Sequence, residues 1–289
     1  MSTRTRKPLD LTSAATVHAV ARRAGLWQSK RLGQHFLVDR EVLDGIVDAL
    51  DLDGTHDVLE VGCGIGTLTG ELASRARRVI AIDVDPACVA ATRMTQSDHA
   101  NVDVVQLDAR RAEPRSLGLT RPWIAAGNLP YRLTGAILSA LFERADAPAR
   151  GVFLVQREVA IRICAETGGW SLATVALRSL AMVERLRDVP PHAFEPPPAV
   201  HSSVIRMRPL TDVDMASRAA VIRLARPVFQ QRRKTLRHGV ANALRGDDAA
   251  ALRALEDAGI AFGRRPGTLS LDEWDRLARA VSRVSAESG

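Results

Sequence analysis

A chain of 289 residues with 46% hydrophobic and 25% charged residues has the composition of an ordinary soluble globule, with room for one large domain and a smaller one. A formal charge of +7 favours a polyanionic partner, although excess positive charge also serves solubility. No apolar run approaches the roughly 20 residues of a membrane span. The basic, polar start lacks the apolar centre of a signal peptide, so a cytoplasmic protein is expected.

Residues 1–9 are polar and read as disordered, and residues 12–24 as a helix capped by Thr12 or Ser13 and stopped by Gly25. The segment Gln28-Ser-Lys-Arg-Leu-Gly-Gln-His-Phe-Leu37 combines Lys30 and Arg31, a Gly33 hinge, and Gln34 and His35 beside two apolar residues. A plain loop before the helix of residues 39–50, which Asp39 caps, would look much the same.

Residues 58–69 are a stronger signal. A short apolar strand runs into Gly62, Gly64 and Gly66, and a helix follows to Ser74. Such glycines permit a tight turn and close backbone approach to a ligand. A dinucleotide fingerprint needs another glycine where Thr67 stands, so the spacing, with Glu60 just before it, points to a nucleoside cofactor rather than a pyrophosphate.

Residues 79–83 read as the second strand, with Asp83 at its carboxyl end, where an acid accepts ribose hydroxyls. Asp85-Pro86 then starts a helix. Both acids could be mere caps; Asp83 is favoured for the ribose and Asp85 for the cap. Residues 102–107 form a third strand closed by Asp108, which is either an acceptor for an adenine amino group or a solvated turn acid.

The fourth strand, residues 123–127, delivers Asn128-Leu129-Pro130-Tyr131. Pro130 ends the hydrogen-bonding ladder, and Tyr131 is the only tyrosine. A side-chain amide, carbonyls on a stiffened backbone and an aromatic face suit the exocyclic amine of a flat base. A strand ending in a proline turn is the bland alternative. A helix over 134–142, a wholly apolar strand over 151–155 and a helix over 156–165 follow. The strand–helix alternation predicts a mainly parallel α/β sheet covered on both faces, with ligands at the strands' carboxyl ends.

Residues 171–180 read as helix and 181–189 as strand. Residues 190–198, with five prolines, read as a stiff ordered loop carrying Phe194 as an exposed second stacking surface, before a strand over 203–207. After Pro209 the chain reads as helices only. The first of these carries Arg226, Arg232, Arg233, Lys234 and Arg237 around Phe229, with no acid from Arg223 to Arg245. A basic helix is usually a solvated face; here the density favours phosphate contact. The expected division is an N-terminal extension, partly disordered, over 1–29, a cofactor domain over 30–209 and a helical RNA-binding domain over 210–289. Cys63, Cys88 and Cys164 are odd in number and widely spaced. They form neither a disulfide framework nor a zinc pattern, and no metal is expected.

With these motifs assembled, the chain resembles the KsgA-type ribosomal RNA adenine N6,N6-dimethyltransferases from about Lys30 to Arg279. The markers are Leu32-Gly-Gln-His-Phe-Leu37, residues 58–66, residues 128–131, Gln156-Arg-Glu-Val-Ala160, residues 194–202, residues 229–236 and Thr268-Leu-Ser-Leu-Asp-Glu-Trp274. The resemblance implies a Rossmann-like methyltransferase sheet plus a small all-helical C-terminal domain, and S-adenosylmethionine as methyl donor. It implies donor contacts from His35, Leu37, Gly62, Gly64, Asp83, Asp108 and Asn128. The catalytic set would be Asn128, Leu129, Pro130 and Tyr131 with Phe194 as second wall. The implied product is dimethyladenine near the 3′ end of small-subunit rRNA. A pre-30S particle is the expected partner and a monomer the expected state. Cys63 stands where the family often has proline and Asp83 where it often has glutamate. The prolines common after the tetrapeptide and near Trp170 are missing. The rivals are a large-subunit adenine methyltransferase of the antibiotic-resistance type and a largely non-catalytic ribosome-assembly factor. A DNA adenine methyltransferase is disfavoured by the lack of a separate base-recognition domain, and a nicotinamide-dependent dehydrogenase by Thr67.

Overall fold

The computed structural model describes residues 9–26, 34–166, 168–211, 214–231 and 233–287. The chain divides into two compact units, Met1–Arg157 with Arg185–Arg208, and Glu158–Glu184 with Pro209–Gly289.

The first unit opens with α1 (Ala14–Arg23), then β1 (Phe36–Leu37) and α2 (Arg40–Ala49). Next come β2 (Asp57–Val61), α3 (Thr67–Ala73), β3 (Arg78–Asp83), α4 (Pro86–Thr95), β4 (Val102–Gln106), β5 (Trp123–Asn128), α5 (Thr134–Phe142) and β6 (Arg150–Gln156). After α6 (Arg157–Cys164) and α7 (Leu172–Leu180) come β7 (Ala181–Val189), β8 (Phe194–Glu195) and β9 (Ser202–Pro209). The seven-stranded sheet has the order β4-β3-β2-β5-β6-β9-β7. The strands from β4 to β6 are parallel, and β9 runs antiparallel to β6. The chain thus winds outward from β2 in one direction and then, from β5, in the other. That reversal opens a crevice at the carboxyl ends of β2 and β5.

The central strands are buried along their length because helices cover both faces. Val42, Leu43, Ile46 and Val47 form the apolar stripe that α2 buries in the sheet core, and Asp39 caps that helix by accepting from the Val42 N–H at 3.1 Å. The expectation of a separate N-terminal extension is corrected for residues 9–26, residues 27–29 lying outside the described residues. Val17, Val20 and Ala21 of α1 pack with Phe36, Ile65, Cys88 and Ala91, so α1 belongs to the first unit's core; residues 1–8 lie outside the described residues.

The second unit contains α6, α7, α8 (Met215–Gln230), α9 (Leu236–Ala243), α10 (Asp248–Asp257) and α11 (Leu271–Glu287). The boundary at residue 209 is therefore only part of the division, because residues 158–184 also group with the helices. Val175 of α7 joins Val221, Leu224, Val228, Leu236, Leu255 and Trp274 in one core. Ser270 and Glu273 cap α11 reciprocally, the Glu273 carboxylate accepting the Ser270 N–H at 2.8 Å and the Ser270 hydroxyl the Glu273 N–H at 3.2 Å.

Two features of the β2–β5 seam yield measurable consequences. A Cβ on Gly127 would lie 2.2 Å from the Val61 carbonyl oxygen, a backbone atom with no freedom to withdraw. Gly127→Ala should lower stability by roughly 3 kcal/mol in urea unfolding, the upper range for overpacking a core. Glu60, 1% exposed near the carboxyl end of β2, has no partner for Oε2 among the described residues. Burial pushes its carboxyl up to about 8, helped by the nearby Asp83 carboxylate and opposed by Thr69. Its folded pKa lies above the unfolded value, so the folded chain holds this proton while the unfolded chain releases it. Stability should fall as pH rises from about 4.5 to about 8. Glu60→Gln should flatten this dependence, raising the thermal midpoint at pH 8 and leaving it nearly unchanged at pH 5.

Candidate active site

The turn after β2 carries Gly62, Gly64 and Gly66 at φ of +78°, +59° and +88°, in the left-handed region that side chains other than glycine rarely adopt. Space is also short there. A Cβ on Gly62 would stand 3.1 Å from the Asn128 carbonyl oxygen, and one on Gly64 would stand 3.2 Å from the Phe36 ring.

Asp83, at the end of β3, ties this turn to the neighbouring strand. Its Oδ2 accepts the Gly64 N–H at 3.1 Å and its Oδ1 the Asp85 N–H at 2.9 Å. Burial raises its pKa, and the two backbone donors oppose that rise. Asp85 caps α4 through the Ala87 N–H at 2.9 Å. Its other oxygen accepts from Gln34 Nε2 at 2.9 Å, and Gln34 also reaches Cys88 Sγ at 3.2 Å.

Asn128 ends β5. Its Nδ2 donates to the His35 carbonyl at 2.9 Å, which fixes the amide so that Oδ1 is left as an acceptor without a partner among the described residues. The Leu129 N–H continues the ladder to the Leu154 carbonyl at 3.0 Å, while the Leu129 carbonyl accepts nothing among the described residues. The Pro130 carbonyl is engaged, accepting from the Leu133 N–H at 2.9 Å and the Thr134 hydroxyl at 3.3 Å. The Tyr131 hydroxyl is 2.7 Å from Ser202 Oγ, and its pKa is raised by burial. The Tyr131 ring lies 6.2 Å from the His35 ring at an interplanar angle of 23°. His35 Nδ1 sits 2.7 Å from the Pro196 carbonyl, which can only accept, so Nδ1 carries the proton.

One cavity collects these groups. Its walls include His35, Gly62, Gly64, Asp83, Asn128, Leu129, Pro130 and Tyr131, all singled out by the sequence reading. Gln34, Phe36, Val84, Cys88 and Leu133 also line it. Gln34 sits inside a motif already conspicuous in the sequence, whereas nothing in the sequence around Cys88 or Leu133 signals a site.

Three expected residues lie outside the cavity walls. Phe194 is not exposed: it is 1% accessible, pairs with Leu37 across the β1–β8 ribbon and packs into the sheet core. The proline-rich stretch orders around that ribbon and turns the ring inward. Leu37 is buried with it. Asp108 caps the short 3-10 turn Ala109–Arg111, accepting from the Arg110 N–H at 3.0 Å, and its carboxylate is held by the Arg110 guanidinium at 2.5 Å. That pairing, chiefly, holds its pKa down at about 2.

The basic cluster of the second unit also differs from its linear reading. Arg226 is on α8, but α8 ends at Gln230, so Arg233 and Lys234 occupy the following turn and Arg237 is on α9. Arg226, Arg233 and Lys234 are exposed, while Arg237 pairs with Asp248 at 3.0 Å. Arg232 lies outside the described residues. Phe229 does not interleave with the basic side chains; it stacks on the buried Trp274 with centroids 5.7 Å apart.

The chain matches the model of the ribosomal RNA adenine dimethylase family over residues 27–278. It is 37% identical over 277 residues to the ribosomal RNA small subunit methyltransferase A of Dehalococcoides mccartyi, covering 93% of this chain and 95% of that protein. The protein of the same name from Anaeromyxobacter sp. is 38% identical over 275 residues, with coverage of 91% and 96%. Among solved structures, the 23S rRNA methyltransferase ErmE superposes with a TM-score of 0.67 at 29% identity, covering 86% of this chain and 99% of that one. A dimethyladenosine transferase from Plasmodium falciparum superposes with a TM-score of 0.75 over 87% and 98% of the two chains; at 23% identity this likeness shows a shared fold. The glycine turn, the Asn128–Tyr131 corner and the match along almost the whole chain converge on one conclusion: the chain belongs to the ribosomal RNA adenine dimethylase family.

Proposed function

We propose that this protein transfers methyl groups from S-adenosylmethionine to the N6 amines of adenines, two adjacent ones, near the 3′ end of small-subunit rRNA, giving N6,N6-dimethyladenine. The supporting observation is that Asn128 Oδ1 and the Leu129 carbonyl, neighbouring acceptors in one cavity wall, have no hydrogen-bond donor among the described residues.

The cavity suits a nucleoside sulfonium. It offers a close-approach glycine turn, a carboxylate for ribose hydroxyls at Asp83 and apolar walls at Phe36 and Val84. His35, Gly62, Gly64, Asp83 and Asn128 would hold the donor, which when bound supplies an electrophilic methyl group. Asp108 would reach the donor's adenine only in competition with Arg110, and Leu37 would contribute through its backbone.

The chain's own residues act on the target amine. Its nitrogen is a poor nucleophile because the lone pair is delocalised into the ring. Accepting both N–H bonds at Asn128 Oδ1 and the Leu129 carbonyl favours a pyramidal nitrogen and frees that pair. Pro130 stiffens the corner, and its own carbonyl is spoken for by the turn. Tyr131, held by Ser202, presents a stacking face worth on the order of 1–3 kcal/mol per base. The proton leaves to solvent once the amine is methylated, so positioning supplies most of the acceleration.

The second unit is proposed to grip RNA phosphates through Arg226, Arg232, Arg233, Lys234 and Arg237. The protein is proposed to work as a cytoplasmic monomer on a pre-30S particle, with a role in subunit biogenesis. Among the described residues no helix is long and apolar enough to cross a membrane. The likeness to ErmE keeps a large-subunit adenine as the second reading.

Labelled methyl transfer to unmodified small subunits, large subunits and naked rRNA, followed by nucleoside analysis, tests the whole proposal. Dimethyladenine should appear in the small subunit. Label confined to large-subunit RNA would move the protein to the second reading, and no label with donor still bound would favour a binding factor. Asn128→Ala should abolish turnover while donor binding persists; near-wild-type turnover would sink its assignment. Five phosphate contacts predict a log affinity against log salt slope of roughly −3.5 to −4.5, and the Arg233→Ala/Lys234→Ala double variant should flatten it by about 1.4–1.8.

A further inference from the structure

The glycine turn is held from behind by α4. Thr92 Oγ1 donates to the Gly64 carbonyl at 3.0 Å, Thr95 Oγ1 to the Ile65 carbonyl at 2.8 Å, and Gln96 Nε2 to the Gly66 carbonyl at 2.9 Å. Three successive carbonyls are thus bound by three side chains spaced i, i+3, i+4, which places them on one face of the helical turn. Thr92 is fully buried and Gln96 is 5% exposed, so water does not substitute for them in the folded chain. The fit is close. A Cβ on Gly66 would stand 2.6 Å from Thr95 Oγ1 and 2.7 Å from Gln96 Nε2.

A turn with three glycines has more conformational freedom than one built of other residues, and a ligand that needs one conformation must bear the cost of selecting it. In a trans peptide the carbonyl and the next N–H point in opposite directions. Fixing the three carbonyls toward α4 therefore fixes the three peptide planes that follow Gly64, and with them the part of the turn that Gly64 presents to the cavity.

We infer that Thr92, Thr95 and Gln96 are positioning residues that set this protein's affinity for S-adenosylmethionine by pre-organising the glycine turn. The inference rests on the proposed donor reading of the cavity. None of the three residues lines that cavity, so their effect passes through the turn.

The test is calorimetric titration of the full-length chain with S-adenosylmethionine and S-adenosylhomocysteine, with thermal midpoints recorded for each variant. Thr92→Val keeps the shape and removes the hydroxyl, and Thr92→Ser keeps the hydroxyl. Thr95→Val and Gln96→Leu carry the test if the Thr92 variant fails to fold. Thr92→Val should weaken binding of both ligands about tenfold, as expected for a lost buried hydrogen bond, and Thr92→Ser should restore most of it. In turnover assays KM for the donor should rise by about the same factor while kcat falls less than about twofold. Wild-type donor affinity in Thr92→Val, Thr95→Val and Gln96→Leu alike, with only the thermal midpoints lowered, would overturn the inference and leave a purely structural role. A parent chain that binds neither ligand would overturn the donor reading itself, which distinguishes that failure from failure of the α4 inference.

Discussion

The site depends on how closely β5 approaches β2. Gly127 has no side chain where a Cβ would collide with the Val61 carbonyl, so the two parallel strands meet across a seam that no other residue permits. The same seam brings the glycine turn after β2 within contact distance of the Asn128 carbonyl. The reversal of winding between β2 and β5 makes the crevice, and Gly127 sets its width. The glycine turn and the Asn128–Tyr131 corner can then face one cavity without any long loop to join them.

Burial around that seam has electrostatic consequences. Glu60 and Asp83 both lie at the carboxyl ends of central strands and both have raised pKa values, chiefly from desolvation, but they are treated differently. Asp83 has two backbone donors and stays in contact with the cavity. Glu60 is buried with an oxygen unpartnered among the described residues, which favours its neutral form. Two acids a strand apart therefore divide into one whose carboxylate faces the cavity and one whose neutral form burial favours.

Much of the fold is legible in the sequence alone. The limits of α5 match the sequence reading residue for residue, and Asp39 and Asp85 cap the helices they were expected to cap. These features are local: hydrophobic periodicity, a proline, or an acid placed before a helix. The strand–glycine–helix segment and the Asn-Leu-Pro-Tyr corner were legible for the same reason, since each carries its chemistry within a few consecutive residues.

The sequence by itself therefore determined the mainly parallel α/β sheet, the later helices and the two motifs that meet in the cavity. Tertiary structure alone decided what depends on residues far apart in the chain. It turned Phe194 into the core by pairing it with Leu37, and it paired Arg237 with Asp248 across a gap that the acid-free run concealed. It grouped residues 158–184 with the C-terminal helices. It also oriented the Asn128 amide through the carbonyl of His35, 93 residues earlier, and so left Oδ1 without a donor among the described residues. The physical reason is common to all four. Propensity and spacing act over one or two turns of chain, whereas burial, ion pairing and amide orientation are set by whichever distant group the folded backbone brings within 3 or 4 Å.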